Sequence, residues 1–587
     1  MGLSRIHHID KNIEEKVNYF VDLFTFLNDN HSISKEFSIE TPRSIIEKCI
    51  YQIEENLNKS IPYLKNHFQK HDIYEAGDGA DVFPTFSILK NQIQAFQNES
   101  DKNKIKWINS NPTFLKNLKT FHNELEQSLI KNSVNSLISY LKCHHKLKEH
   151  ASEIEYYTKI IVSESILKGF SEEDVSNFIS KIMSQDIKDF PFPPDLFSYS
   201  TNEDKEEIKT NFIENRTFEQ QFNGLRNLIE QPKRKSFFIF KILKLKLNDG
   251  ITFEYSDVIF DTLKQERFNY FKEIIRKEES EHFLLKEFFL DENSTVAIIE
   301  LEYNSYELGK KMAIRKIQNA INFINNKFNT NAYIEDKKMF NILGFENYRI
   351  ESKGERIVNF NQRQLNIFNA NPYFWLYDKK SEAKNQFLAF ESFYVKALQS
   401  NSIIDYWQYI ELIIPLDKLD EKKSIKKIVS NILLIRHSEE MSEKFKNRYS
   451  NLINSFSISA KEIGLTPEEQ RKIELDMESI EKYQRKIKRP FLRRLYYWQK
   501  LHKSKKNLKE EKQYYYSILT EAYEVRNQYV HAGKIIESSI IKLEKVLPHI
   551  VSMFRVTLID QILLSNKSTN LEQIIIKLSN KGEKLIN

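Results

Sequence analysis

The sequence predicts a mainly helical chain in three parts: a helical N-terminal region, a small central α/β module and a C-terminal helical bundle. Three observations carry this expectation. Glycine and proline are scarce, 12 and 13 of 587 residues, which disfavours a β-sandwich and favours helices. Apolar residues recur at spacings of three and four over most of the length. From Ser236 the period changes to that of strands.

The N-terminal region spans 1–235, with a sub-boundary near 186–206. Helices are expected over Asn12 to Leu27, Pro42 to Leu57, Thr113 to Leu141 and Glu153 to Leu167. Gly169 reads as a stop, followed by a capping box in which Ser171 is the cap and Asp174 stands three residues on. The resulting helix-turn-helix over residues 155 to 185 would suit a DNA reader, but its second helix carries acids where bases would meet phosphates. Gly77-Asp-Gly-Ala-Asp81 lacks the residue order of a calcium loop and reads as a polar turn. Cys143, His144, His145 and His150 lack the second ligand pair of a zinc site and read as a surface helix.

The middle module is expected over 236–380. The run Phe237 to Leu247 and the segment Ile251 to Tyr255 read as a hairpin around Asn248-Asp-Gly250. Val296 to Tyr303 is a further strand, Glu307 to Phe328 an amphipathic helix, and Tyr333 to Glu335 and Tyr348 to Lys353 edge strands. A sensing or dimerising role fits so small a module.

The C-terminal bundle is expected over 385–565. It begins with a stripe from Phe387 to Leu398 and a helix from Ile403 to Ile414 around Trp407 and Glu411. Ile425 to Ile435 and Ser442 to Phe456 follow as two helices, and Ile535 to Leu564 closes the bundle with Pro548 inside it. Residues 566–587 read as a basic, peripheral tail.

Charge and cysteine content set limits. The 88 Lys and Arg against 82 Asp and Glu leave +6, compatible with RNA binding but too small to argue for it alone. Cys49 and Cys143 cannot build a disulfide framework. The N-terminus has no apolar signal core, and no apolar run approaches a membrane span. A cytoplasmic protein without a membrane partner is therefore expected. The densest basic stretch, Lys482 to Lys506, holds Arg485, Lys486, Lys488, Arg489, Arg493, Arg494 and Lys500, interleaved with Phe491, Tyr496, Tyr497 and Trp498. The cations could neutralise phosphates while bases stack on the rings. A charged helix face over a buried aromatic face explains the same residues.

The chemistry concentrates after this stretch. A gap-free helical run from about Glu510 leads to Arg526, Asn527 and His531, and Gly533 then supplies a helix stop. At about 100° per residue, Arg526 and His531 sit about 140° apart. Asn527 and His531, at i and i+4, share a face, so the amide can orient the imidazole. Arginine offers a fork that matches two phosphate oxygens, and histidine moves a proton near neutral pH. One copy lacks a second titrating group for metal-free RNA cleavage, which a two-fold dimer would supply.

The spacing Arg526-Asn527-x-x-x-His531 resembles the R-x4-6-H signature of HEPN ribonucleases. Tyr523, Ala532-Gly533 and the helix with Trp407 and Glu411 resemble the Apea-type members of bacterial anti-phage defence. The resemblance covers roughly the last third of the chain. It implies a helical bundle that dimerises, gathers both motifs in one cleft and cuts RNA without a metal or other cofactor, in a toxin-like or abortive-infection role. tRNA is the substrate that the family suggests, and a phage-derived or small-molecule trigger is a candidate activator. Glu411 is a candidate to orient Arg526, and a rim carboxylate beside a lysine explains it as well. The alternative reading is a non-catalytic HEPN-like bundle that binds RNA or protein.

Overall fold

The structure, a computed structural model, describes the chain apart from residues 1–10, 31–33, 55–83, 100–103, 198–204, 249–250, 278–282, 344–347, 353–375, 377–379, 415–422, 456–463, 476–479, 484–485 and 531–535. It is mainly helical with one small sheet, as expected. The turn expected at Gly77 to Asp81 lies outside the described residues.

Nine helices are described before the sheet: α1 Lys11–Asn30, α2 Pro42–Glu54, α3 Pro84–Asn98, α4 Lys104–Ser110, α5 Pro112–Lys142, α6 Leu147–Leu167, α7 Glu172–Met183, α8 Lys205–Asn215 and α9 Phe218–Ile229. Their starts follow local chemistry. Proline opens α2, α3 and α5, where its missing N–H costs nothing. Ahead of α7, Asp174 N–H donates to Ser171 Oγ at 3.1 Å and Ser171 N–H donates back to Asp174 Oδ2 at 3.2 Å, the reciprocal box expected. Phe96, Phe114, Leu118, Phe121 and Leu125 bury one continuous face where α3 and α5 meet.

The sheet comprises β1 Arg234–Leu243, β2 Phe253–Tyr255, β3 Val258–Thr262, β4 Thr295–Tyr303, β5 Tyr333–Ile342 and β6 Tyr348–Ser352. Its order is β2-β3-β4-β1-β5-β6 and every described pairing is antiparallel. Helices α10 Asn269–Lys277 and α11 Phe283–Phe289 precede β4, and α12 Tyr306–Phe328 follows it. Ala313, Ile317 and Ile321 of α12 cover one face of the sheet, and Phe271, Leu285 and Phe288 cover the other.

This arrangement corrects the expected hairpin. β1 pairs with β4 and β5, not with residues 251 to 255. A strand buried on both faces carries an almost continuous apolar run, and such a strand belongs in the centre of a sheet. The hairpin instead joins β2 to β3 through Ser256-Asp257, with Ser256 left-handed at φ +57°. β5 is also longer than expected and lies inside the sheet, leaving β6 as the edge.

The C-terminal helices are α13 Glu382–Ser400, α14 Ile403–Ile413, α15 Lys423–Ser455, α16 Pro467–Leu475, α17 Ile480–Tyr483, α18 Pro490–His502, α19 Lys505–Val530, α20 Glu537–Leu564 and α21 Leu571–Lys584. The two helices expected between 425 and 456 are one, α15, because nothing in His437-Ser-Glu-Glu-Met441 breaks a helix. The tail is not peripheral. Leu571, Ile574, Ile575 and Leu578, at three and four spacing, join the C-terminal core. Gly582 meets α15 so closely that a Cβ there would lie 1.8 Å from the Asn431 carbonyl oxygen. Helix α20 is long and apolar enough to cross a membrane, yet 56% of its most apolar window is buried, so its hydropathy serves the core.

By contact, the chain divides into two compact units. One holds the α/β module, residues 168–174 and 228–361; the other holds 1–167, 175–227 and 362–587. The N-terminal helices and the C-terminal bundle, expected as separate domains, thus share a unit. Their junction contains a ring of four buried charges. Lys542 Nζ lies 2.8 Å from Glu40 Oε1 and 2.8 Å from Glu521 Oε2; Lys48 Nζ lies 2.9 Å from Glu521 Oε1 and 3.5 Å from Glu40 Oε1. Burial opposes ionisation of Glu521, but the two lysines outweigh it and hold the carboxyl at about 2.

Two outcomes follow from this ring. Lys542→Met leaves two buried carboxylates facing one lysine and is expected to lower unfolding free energy by about 3–5 kcal/mol in denaturant titration. Glu521 has a folded value below its ordinary 4.5, so its stabilisation is complete above pH 4.5 and fades as pH falls toward 2. Acid unfolding of the wild type should therefore be steeper over that window than that of Glu521→Gln.

Candidate functional site

Helix α19 carries the motif on its last turn. With Glu521 as origin, Val525 and Gln528 lie within about 60° of it, whereas Tyr523, Arg526 and Asn527 lie on the opposite side. The two faces meet different surroundings. Gln528 Nε2 donates to Tyr51 Oη at 2.7 Å, so α2 covers the first face. A cleft there is lined by Lys48, Tyr51, Glu521, Glu524, Gln528 and Ser539.

The second face carries the chemistry. Arg526 Nη2 lies 3.8 Å from Glu411 Oε2 on α14, and Nη1 donates to Asn527 Oδ1 at 3.0 Å. The Arg526 side chain keeps 32% of its surface exposed, so an anion can reach it. Beneath it, the Tyr523 and Trp407 rings pack at 5.5 Å, with Trp407 buried. Lys426 of α15 sits 4.7 Å above the Tyr523 ring; burial pulls its pKa down, partly offset by Glu524. The structure thus brings Arg526, Asn527, Glu411 and Tyr523 together. His531, with Ala532 and Gly533, lies outside the described residues. Sequence reasoning missed Lys426, because no local spacing links it to a ring almost a hundred positions away.

The basic stretch divides. Arg485 lies outside the described residues. Arg489 grips Asp22 of α1 with two hydrogen bonds, at 2.6 and 2.5 Å. Arg494 pairs with Glu155 of α6 and stacks over Tyr497 at 4.7 Å. Arg493 donates to the Ile487 carbonyl, and Lys486 pairs with Glu469 at 2.6 Å. Lys488 and Lys500 are exposed, and so is Tyr497, at 52%. Phe491, Tyr496 and Trp498 are buried, so for these three the reading as a buried aromatic face replaces that of base stacking. Phe26 lies against Trp498 at 5.4 Å and against Phe445 at 6.0 Å, placing these rings in a core shared by α1, α15 and α18.

A second polar cluster lies inside the same unit. His437 of α15, His502 at the end of α18 and Glu511 of α19 are buried together. Burial pulls His502 down to about 4, and burial with His502 beside it pulls His437 well below its ordinary value. Burial pushes Glu511 up to about 8, against the pull of the Lys35 backbone N–H. No sequence signal marked these residues, which stand 65 and 9 positions apart, outside any motif spacing. Cys143, His144, His145 and His150 do not form such a group among the described residues; Cys143 Sγ accepts from Lys16 Nζ at 3.2 Å.

No family model matches the sequence, and no curated protein or solved structure matches it. Function is therefore argued from the site itself.

The division of the basic stretch is testable. Arg489→Gln leaves Asp22 buried with less compensation and is expected to lower stability by about 3 kcal/mol. Lys500→Gln, by contrast, should change stability by less than about 0.5 kcal/mol. If the exposed face binds RNA, Lys500→Gln also weakens binding and flattens its salt dependence in titrations with a short single strand.

Proposed function

We propose that this chain is a metal-independent endoribonuclease of the HEPN class, active as a homodimer and serving a toxin-like or anti-phage role. The observation that carries this reading is Arg526 beside Glu411 at the end of α19. The guanidinium is held by a carboxylate and an amide yet open to solvent, five positions ahead of His531. A phosphodiester entering the site would take the place of Glu411 on the planar fork.

In this mechanism the ribose 2′-hydroxyl attacks the adjacent phosphorus. His531 takes the hydroxyl proton, and the second copy's imidazole protonates the leaving 5′-oxygen, or the two exchange roles. Arg526 stabilises the charge that gathers on the phosphorane. The products are a 2′,3′-cyclic phosphate and a 5′-hydroxyl. Because α2 covers the Glu521, Val525 and Gln528 face of α19, the second copy approaches from the Arg526 side. tRNA is the first substrate to test, and a phage-derived or small-molecule trigger fits the proposed role.

A second reading has its own observation. Arg489 and Arg494, two of the candidate phosphate contacts, are engaged by Asp22 and Glu155. A non-catalytic bundle would use those two cations for assembly and bind RNA or protein through the exposed Lys488, Lys500 and Tyr497.

The two readings separate in one assay. His531→Ala and Arg526→Ala should each reduce cleavage of RNA by at least about a hundredfold while leaving the sedimentation coefficient and helicity unchanged. Cleavage should continue in excess EDTA. Full activity in His531→Ala would reject the catalytic role of His531, whereas binding without cleavage in the wild type, unaffected by substituting His531, would select the scaffold.

A further inference from the structure

The His437, His502 and Glu511 cluster points to a function that the proposed nuclease chemistry does not use. Its three side chains come from α15, the end of α18 and the start of α19. His437 Nε2 lies 3.1 Å from His502 Nδ1, and His502 Nδ1 lies 3.9 Å from Glu511 Oε1. One ligand atom from each residue falls within 4.8 Å of the others. Tetrahedral zinc, with bonds of about 2.0–2.1 Å, sets its ligand atoms about 3.3 Å apart. Small side-chain adjustments bring the triad to that spacing.

The surroundings are those of an oriented ligand set. Tyr515 Oη lies 2.7 Å from His437 Nδ1 and can accept its proton, leaving Nε2 bare and facing the cluster. The Lys35 backbone N–H donates to both oxygens of Glu511, at 3.0 and 3.2 Å. The Asn507 amide lies 3.1 Å from His502 Nδ1, and its oxygen reaches the same point after a half-turn about its terminal bond.

Charge supplies the second argument. Glu511 is fully buried, and a single backbone N–H, that of Lys35, donates to both its oxygens; the Lys35 ammonium turns to Glu510 instead. Among the described residues, no lysine or arginine side chain forms an ion pair with Glu511. His437 Nε2, His502 Nδ1 and Glu511 Oε1 converge on one small region. A divalent ion answers all three at once.

We propose that His437, His502 and Glu511 bind one divalent transition-metal ion, of the Zn2+ class, as a structural centre. Two imidazoles and one carboxylate, with no thiolate, favour such an ion over Mg2+ or Ca2+. Asn507 is placed to supply the fourth ligand. Binding releases at most one proton, from Glu511. The ion ties α15, α18 and α19 together about 22 Å along α19 from Arg526, so it takes no part in phosphodiester cleavage. Being sealed in the core, it would survive the EDTA exposure of the cleavage assay.

The test uses the full chain, purified without a histidine tag from zinc-supplemented medium and gel-filtered. Plasma mass spectrometry should find about one zinc per chain in the wild type and less than about a tenth of that in His437→Gln and Glu511→Gln. Protein stripped by chelator in partial denaturant should melt lower, and Zn2+ should restore its Tm. Should the variants fail to fold, Co2+ refolded into the stripped wild type provides the second measurement. Absorption of a tetrahedral nitrogen and oxygen site supports the proposal, and a thiolate charge-transfer band overturns it. Wild-type protein that carries no metal and whose Tm does not respond to Zn2+ also overturns it, leaving a buried histidine–carboxyl hydrogen-bond network.

Discussion

The alternating ring of Lys48, Glu521, Lys542 and Glu40 is the constraint on which the larger unit turns. Its four charges sum to zero, and each is more than nine-tenths buried. Such a ring contributes little net free energy compared with an apolar cluster of equal volume, because desolvation offsets most of the attraction. Its value lies in what it forbids. Slide α2 along α19 and a buried charge loses its partner. The N-terminal helices are thereby fixed against the motif helix in one register, and the face of α19 left for Arg526 is settled as a result.

The aromatic core beside this junction explains why the basic stretch divides. Trp498, Phe491 and Phe445 need Phe26 and Phe37 to complete their burial. Docking α1 and α6 against α18 brings Asp22 and Glu155 within reach of Arg489 and Arg494. Those cations are thus used in assembly. What remains exposed on and just before α18 is a narrower set, chiefly Lys488, Lys500 and the ring of Tyr497.

Legibility from sequence followed the range of the interaction. The Ser171–Asp174 box, strand β4 and helix α12 depend on spacings of a few residues and were readable. The meeting of Glu411 with Arg526, more than a hundred positions apart, is one of two readings the sequence leaves open for Glu411. The charge ring was not, because a lone lysine or glutamate on a helix looks solvated until its partner arrives from 40 or 542. The hairpin was misplaced for a related reason: an unbroken apolar run shows burial on both faces but not which strands flank it. Tail helix α21 reads as peripheral because its lysines interrupt a three-and-four apolar stripe that joins the C-terminal core.

Helix α15 has a further consequence. Near its start Asn431 donates to Ser579 of α21 at 3.1 Å, His437 enters the buried polar cluster mid-way, and Arg448 donates to the Asp22 carbonyl of α1 at 3.2 Å. The first and last of these are about 25 Å apart on one continuous rod. One inserted residue between them would swing one end about 100° away from its neighbours. This stretch can therefore drift in composition over evolutionary time while its length stays frozen.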